Sequence, residues 1–375
     1  MSGLETGGLS FVAASSRQGL YPLTPKYFST HTRSYTLRLG TVATPLVHLN
    51  KTLSLAALDT MARLVKEGQG DATKSQYYLL GFNIKGSFSP LLHNTGFRLL
   101  GLPYKYDLFE VPHVDGSVEK LLQDPKVGGL SVTAPHKLEV GRFMDEISEE
   151  ARTMGSVNTI VAINPSCGRP RRLYGDNTDW LGITRCIEGG KIDLDAAEIT
   201  AVVLGAGGAA RAAAYAFIKL RIRNIVVVNR SLDRAQKLAA SFPDHKIEIV
   251  HSLSALEEHS ISGSLKISVI VGSLPAHVLT EADVPNWLFP NVKKGVLVEM
   301  AYGKRTAITA KALAASNWTV FDGIDVLQQQ AFGQFEAWTG RTAPKMEMMD
   351  AVNKALGRTL NPAFAEGKDE DCTGF

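Results

Sequence analysis

Cysteine is scarce in this chain: Cys167, Cys186 and Cys372 are scattered through 375 residues and form no Cys-x-x-Cys pair. Such a set excludes a disulfide framework and a thiolate metal site, and it points to a reducing, cytoplasmic setting with no metal centre. Long apolar runs are missing too, since none reaches the roughly 18 to 20 residues that a membrane helix requires. Nothing near the start pairs a charged segment with an apolar one, so secretion and membrane insertion are not expected. Charge of one sign is also lacking. A formal net charge of +3 without a dense Lys/Arg block offers no footprint for nucleic acid or an acidic membrane surface, which leaves small molecules as the expected partners.

What the chain does hold is apolar substance, 45% of 375 residues, which is more than one average core accommodates. Two domains are expected. The first 50 residues are rich in Ser and Thr and set Arg17, Lys26, Arg33 and Arg38 against one acid, Glu5. With no clean Arg-rich amphipathic helix, they read as a disordered or loosely docked tail rather than a transit peptide.

After this tail the spacing predicts a helix over Leu53 to Lys66, interrupted at Gly68 to Asp71, and then a strand at Tyr77 to Gly81. Helix Pro90 to Leu100, strand Tyr104 to Phe109, a helix around Val118 to Leu122 and strand Gly129 to Val132 follow, an alternation that argues for a mostly parallel sheet. Strands Val157 to Ile163 and Arg172 to Tyr174 and helix Trp180 to Glu188 come next, with a hinge at Gly189-Gly190. Beyond it lie strand Ile199 to Leu204, helix Ala209 to Leu220 and strand Asn224 to Val228, a βαβ unit; Ser268 to Val271 and Gly295 to Glu299 extend its sheet. Two helices, Asp325 to Trp338 and Met346 to Leu356, then return toward the first half. The expected architecture is α/β in two domains: residues 75–190 with 322–360 as an open, mostly parallel substrate domain, and 191–321 as a dinucleotide-binding domain. Residues 1–74 form an extension and 361–375 a tail.

The turn Gly205-Ala206-Gly207-Gly208-Ala209-Ala210-Arg211 lets the backbone bend sharply and approach a pyrophosphate, whose charge then faces the positive end of the next helix. An acid about 20 residues on would bond a ribose 2′-hydroxyl. Here the strand ends instead in Asn229-Arg230-Ser231, with Arg234 close behind. Two guanidinium groups suit a 2′-phosphate, so NADP is favoured and NAD remains open.

Ahead of that turn stand Gly86-Ser87-Phe-Ser89-Pro90, Ser131-Val-Thr133-Ala-Pro-His-Lys137 and Gly175-Asp-Asn-Thr-Asp179. In the first, Ser89 reads as an N-cap with Pro90 at the first helical position, while Ser87 beside the same free amides suggests a carboxylate cradle. Lys137 alone would be a surface lysine and Asp179 alone a solvated acid or cap. Their order ahead of a dinucleotide turn changes that reading, because a lysine and an acid that meet in a cleft move a proton where a nicotinamide moves a hydride.

From about Tyr77 to Leu356 the chain resembles the shikimate dehydrogenase family, including the quinate dehydrogenases. The resemblance rests on Gly86 to Asn94, Val132 to Lys137, Gly155 to Thr159, Gly175 to Asp179, Gly205 to Arg211, Asn229 to Ser231 and Gln330 to Gly340. It implies a Rossmann-type cofactor domain and oxidation of a ring hydroxyl of shikimate or quinate, with Lys137 and Asp179 as the catalytic pair. It further implies that Ser87 and Ser89, with Tyr302, hold the substrate carboxylate, while Thr133, Asn158 and Gln330 join the pair in contacting the ring hydroxyls. Three positions depart from the family pattern: Gly86 where many members have His, Ser131 where they have Asn, and Ser231 where they have Thr. The first two adjoin substrate contacts and bear on which ring is accepted. The resemblance also implies two alternatives for such a chain: a ligand sensor without catalysis, against which the intact Lys137 and Asp179 argue, and a dehydrogenase of a related cyclitol acid, which substrate profiling separates.

Overall fold

In the computed structural model, the described residues are 75–164, 170–194, 199–261, 265–301 and 305–364. The expected helix at Leu53 to Lys66, Cys167, Cys372 and Tyr302 lie outside them. Two six-stranded sheets account for the architecture. The first contains β1 (Gln76–Gly81), β2 (Lys105–Glu110), β3 (Val127–Val132), β4 (Glu146–Ile147), β5 (Thr159–Ile163) and β6 (Arg172–Asp176) in the order β2-β1-β3-β5-β6-β4. Its β2-β1-β3 part is parallel, whereas β5 runs antiparallel to both β3 and β6.

The second sheet contains β7 (Ile199–Leu204), β8 (Asn224–Val228), β9 (Ile247–Val250), β10 (Lys266–Gly272), β11 (Gly295–Glu299) and β12 (Trp318–Phe321). Its order is β12-β11-β10-β7-β8-β9 and every pair is parallel. This is the doubly wound order, whose direction reverses between β7 and β10 and leaves a crevice at their C-terminal ends. Helices cover both faces of such a sheet, so β7 is buried along its whole length, which explains why it is apolar at every position but Thr200.

Ten helices connect these strands among the described residues: α1 (Ser89–Leu99), α2 (Gly116–Gln123), α3 (Glu149–Met154), α4 (Asp179–Gly189), α5 (Gly208–Lys219), α6 (Leu232–Ala239), α7 (Leu253–Ile261), α8 (Ala307–Ala314), α9 (Gly323–Thr339) and α10 (Lys345–Ala355). None is long and apolar enough to cross a membrane. Helix α5 is rich in alanine, and Ala210, Ala212, Ala213, Ala214 and Ala216 are fully buried, so it lies close to its neighbours. Helices α4 and α9 sit at the junction of the two sheets. Ile183, Ile187 and Val326 from them share one core with Val296 and Val298 of β11 and with Phe321 of β12. At their crossing, a Cβ on Gly182 would lie 2.9 Å from the Val326 carbonyl oxygen and 3.1 Å from Gln330 Cβ, so glycine permits the approach that carries Gln330 toward Asp179.

One local expectation fails. Ser89 is the first residue of α1 rather than its N-cap; Phe88 takes the cap position without a side-chain bond. Ser87 Oγ instead accepts from the Ser89 amide at 3.2 Å. A hydroxyl two residues ahead reaches a free helix amide as a cap would, and so releases Ser89 to face the cleft.

Candidate active site

Helix α4 begins with Asp179, whose amide donates to Asn177 Oδ1 at 3.0 Å. This turn buries the acid: Asp179 retains 6% side-chain exposure and Lys137 retains 15%. Lys137 reaches it from the short helical turn after β3, Nζ to Oδ2 at 2.5 Å, and its carbonyl accepts from the Val157 amide at 2.8 Å. Asn158 completes the arrangement. Its Nδ2 donates to Asp179 Oδ1 at 2.9 Å and to Gln330 Oε1 at 3.2 Å, while its Oδ1 accepts from the Thr178 amide at 2.8 Å and from Thr159 Oγ1 at 2.6 Å. Both carboxylate oxygens thus have a donor, and Lys137 and Asp179 both line a pocket of about 100 Å³.

Ser87, Ser89, Thr133, Lys137, Asn158, Asp179 and Gln330 all line this pocket. The structure brings together every described substrate-site residue singled out from the sequence. Thr133 arrives at the end of β3, its amide donating to the Leu80 carbonyl at 2.9 Å beside the switch between β1 and β3. Gly86 is exposed, and a Cβ built there meets no atom within 4 Å, so that side of the serine cradle is open.

Gln334, one helical turn beyond Gln330, also lines the pocket and was not singled out from the sequence. It donates to the Asn158 carbonyl at 3.2 Å and to Thr159 Oγ1 at 3.1 Å, and accepts from Ser131 Oγ at 2.8 Å. The i, i+4 spacing from Gln330 on one helix was the available signal. Behind Gln334, His93 stacks on Tyr106 with ring centroids 4.6 Å apart, and burial drives its imidazole down to about 3 while the Gln334 side chain raises it in part. Glu299 and Met300 at the end of β11 were missed as well. Met300 lines the pocket, and burial lifts the Glu299 carboxyl to about 7 against the opposing effect of its hydrogen bonds.

The glycine turn approaches the pair from the other sheet. Gly205 has φ +118°, a conformation that favours glycine, and its amide donates to the Val228 carbonyl at 2.9 Å, which sets the turn beside the end of β8. Helix α5 starts with Gly207 as N-cap and no side-chain cap, so its first amides are not taken by a side chain. Ala206 is buried beneath the turn, a Cβ on Gly207 would meet open space, and one on Gly208 would lie 2.9 Å from Ser156 Oγ and 3.1 Å from Lys137 Cβ. Arg230 and Ser231 after the tip of β8 and Arg234 in the first turn of α6 are exposed, and Asn229 Nδ2 braces the turn by donating to the Ser231 carbonyl at 2.7 Å. These residues fit a dinucleotide: the bare turn leaves helix amides free for a pyrophosphate, and the exposed cations that follow β8 suit an adenosine 2′-phosphate. Among the described residues, no cluster of His, Cys, Asp and Glu is arranged to hold a metal ion.

Comparison with known proteins places matches on both halves. Residues 79–160 match the family model described as shikimate dehydrogenase substrate binding domain, and residues 190–322 match shikimate / quinate 5-dehydrogenase. The pentafunctional AROM polypeptide of Schizosaccharomyces japonicus is 38% identical over 284 residues, 73% of this chain and 18% of that protein. The quinate repressor protein of Emericella nidulans is 32% identical over 311 residues, 74% of this chain and 34% of the repressor. This chain therefore spans about a fifth of the AROM polypeptide and a third of the repressor. Among solved structures, shikimate 5-dehydrogenase from Thermus thermophilus in complex with NADP(H) and shikimate is 28% identical with a TM-score of 0.61, and the match covers 75% of this chain and 99% of that one.

Proposed function

The chain belongs to the shikimate and quinate dehydrogenase family, and from that premise we propose that it oxidises the ring 3-hydroxyl of shikimate or quinate to the 3-dehydro ketone, reversibly. The observation that carries the reading is the buried Lys137–Asp179 pair, held on one pocket by Asn158 and abutting Gly208 of the dinucleotide turn. Proton and hydride chemistry thereby share a single cleft. In this reading residues 75–190 with 322–360 form the substrate domain and 191–321 the cofactor domain. Residues 1–74 are an extension and 361–375 a tail, and the buried free thiol Cys186 fits a reducing cytoplasmic setting.

Ser87 and Ser89, with Tyr302, take the substrate carboxylate. Thr133, Asn158 and Gln330 orient the ring hydroxyls, and Lys137 with Asp179 receives the proton of the reacting hydroxyl as its carbon loses hydride. NADP, when bound, supplies the hydride acceptor. Gly205, Ala206, Gly207, Gly208 and Ala209 would hold its pyrophosphate, while Asn229, Arg230, Ser231 and Arg234 would meet its 2′-phosphate. NAD is the alternative in the absence of that last contact. The open position at Gly86 leaves room for the puckered, more heavily hydroxylated quinate ring, so quinate is a substrate at least as good as shikimate.

The likeness to a repressor protein favours a second reading, a sensor that binds the same acid without turning it over. Reduction of NAD or NADP, followed optically with shikimate or quinate, separates the two. Turnover in any of the four combinations supports the dehydrogenase. Silence in all four, with either acid still binding, replaces it with the sensor.

A further inference from the structure

Strand β11 carries Glu299 to the C-terminal edge of the second sheet, one residue before pocket-lining Met300. The residue is 3% exposed, and a carboxylate removed from water is costly unless hydrogen bonds replace the solvent. Two do so. Oε1 accepts from the Ala301 amide at 3.0 Å, and Oε2 accepts from Thr306 Oγ1 at 3.0 Å. Its partner in register on β10 is Gly272, where a Cβ would stand 2.7 Å from Oε2, so the carboxylate lies against bare backbone. The Met300 amide donates to the Gly272 carbonyl at 2.8 Å, and Thr306 is the N-cap of α8, accepting from the Thr309 amide at 3.3 Å.

Met300 is thus held on both sides, by its own amide on β10 and by the next amide on Glu299. We propose that Glu299 is a positioning residue for the pocket: by bridging the Ala301 amide to the α8 cap, its carboxylate fixes Met300 against the bound ring without touching the ring itself. This rests on the reading of the pocket as a hydroaromatic acid site and adds to it a residue outside the stretches that carry the resemblance.

The bridge depends on protonation. An ionised carboxylate accepts both bonds. Once protonated on Oε2 it donates to Thr306 Oγ1, whose own hydrogen then turns to Thr309 Oγ1 at 3.0 Å, and Ala301 is left with a neutral, weaker acceptor. The groups facing Glu299 are the Met300 and Ala301 amides, Gly272 of β10 and Thr306 at the start of α8, and no charged side chain among the described residues contributes to its ionisation. Burial brings the change to about pH 7.

The test compares the wild type with Glu299→Gln at pH 8.5 and 5.5. Hydrogen exchange of the Ala301 amide is measured without ligand, and KM and kcat are measured with shikimate and with quinate. At pH 8.5 the variant should exchange Ala301 about five- to tenfold faster and raise KM by a similar factor, with kcat within about twofold, as loss of a charge-assisted bond implies. At pH 5.5 the two proteins should converge, because the wild type is itself neutral there. Thr306→Val should raise KM while keeping the pH dependence. A gap of equal size at both pH values, or none at either, would overturn the assignment. Absence of turnover with both acids would remove the proposed activity, and the exchange comparison alone would then decide the role of Glu299.

Discussion

Single residues in this molecule are set by what burial does to charge. Lys137 and Asp179 share one hydrogen bond in a nearly closed site, and the proposed chemistry needs a proton acceptor there more than it needs a substrate anchor. Lys137→Ala should therefore lower kcat by about 10²- to 10⁴-fold with little change in substrate dissociation constant, while the remaining cradle still binds. Near-normal turnover would refute the assignment. Two other buried groups act on stability, with opposite signs. His93 titrates near 3 in the fold against 6.5 unfolded, so the unfolded chain binds the extra proton between those values and stability is lost as pH falls through them. Glu299 titrates near 7 against 4.5, so the folded chain binds the extra proton and stability is lost as pH rises from 4.5 to 7. Between about pH 4.5 and 6.5 the slopes oppose each other, each about 1.4 kcal/mol per pH unit. Relative to wild type, His93→Phe should tilt the stability curve downward with rising pH across that window, and Glu299→Gln should tilt it upward. Denaturant melts at half-unit pH intervals would show parallel curves if either assignment were wrong.

At the scale of elements, the crossing of α4 and α9 decides whether the site assembles. Gly182 leaves no room for a methyl group between the Val326 carbonyl oxygen and Gln330, and neither backbone moves without dragging a helix. Gly182→Ala should cost about 1–3 kcal/mol of stability through overpacking. It should also raise KM, because α9 carries both Gln330 and Gln334 into the pocket. A variant with unchanged melting and KM would mean that the crossing relaxes freely. This crossing also marks what the sequence conveys. Strands such as Ile199–Leu204, Asn224–Val228 and Gly295–Glu299 are legible because a doubly covered parallel strand is apolar at most of its positions, with Thr200, Asn224 and Glu299 as the exceptions here. Gly182 is silent because the need for a missing side chain exists only once two distant helices meet. Gln334 was concealed for a similar reason: its partners Ser131, Asn158 and Thr159 lie some 175 to 203 positions away. Ser87 and Ser89 announced a helix start, yet which of them reaches the free amide depends on the exact first turn, where sequence patterns are least sharp.

The molecule as a whole meets at the glycine turn, and its two middle glycines serve different partners. Gly207 faces open space, with an extended backbone at φ −85° that alanine also adopts. Gly208 is pressed against the first half, within reach of Ser156 and Lys137. Nearby, Arg211 of α5 spans the same junction, donating to the Met154 carbonyl at 3.1 Å and to Ser241 Oγ at 2.6 Å. Gly207→Ala should leave the ligand-free protein with an unchanged melting temperature while weakening NADP binding, because the added methyl occupies the space a pyrophosphate needs. Gly208→Ala should act before any ligand arrives: a Cβ 2.9 Å from Ser156 Oγ has to push the turn away from Lys137, so melting temperature and kcat should both fall. Adding Ser156→Ala removes the nearer obstacle and should restore part of both losses. Full equivalence of the two glycine variants in ligand-free melting would show that the turn does not bear on Lys137, and that the halves meet in solution at some other spacing.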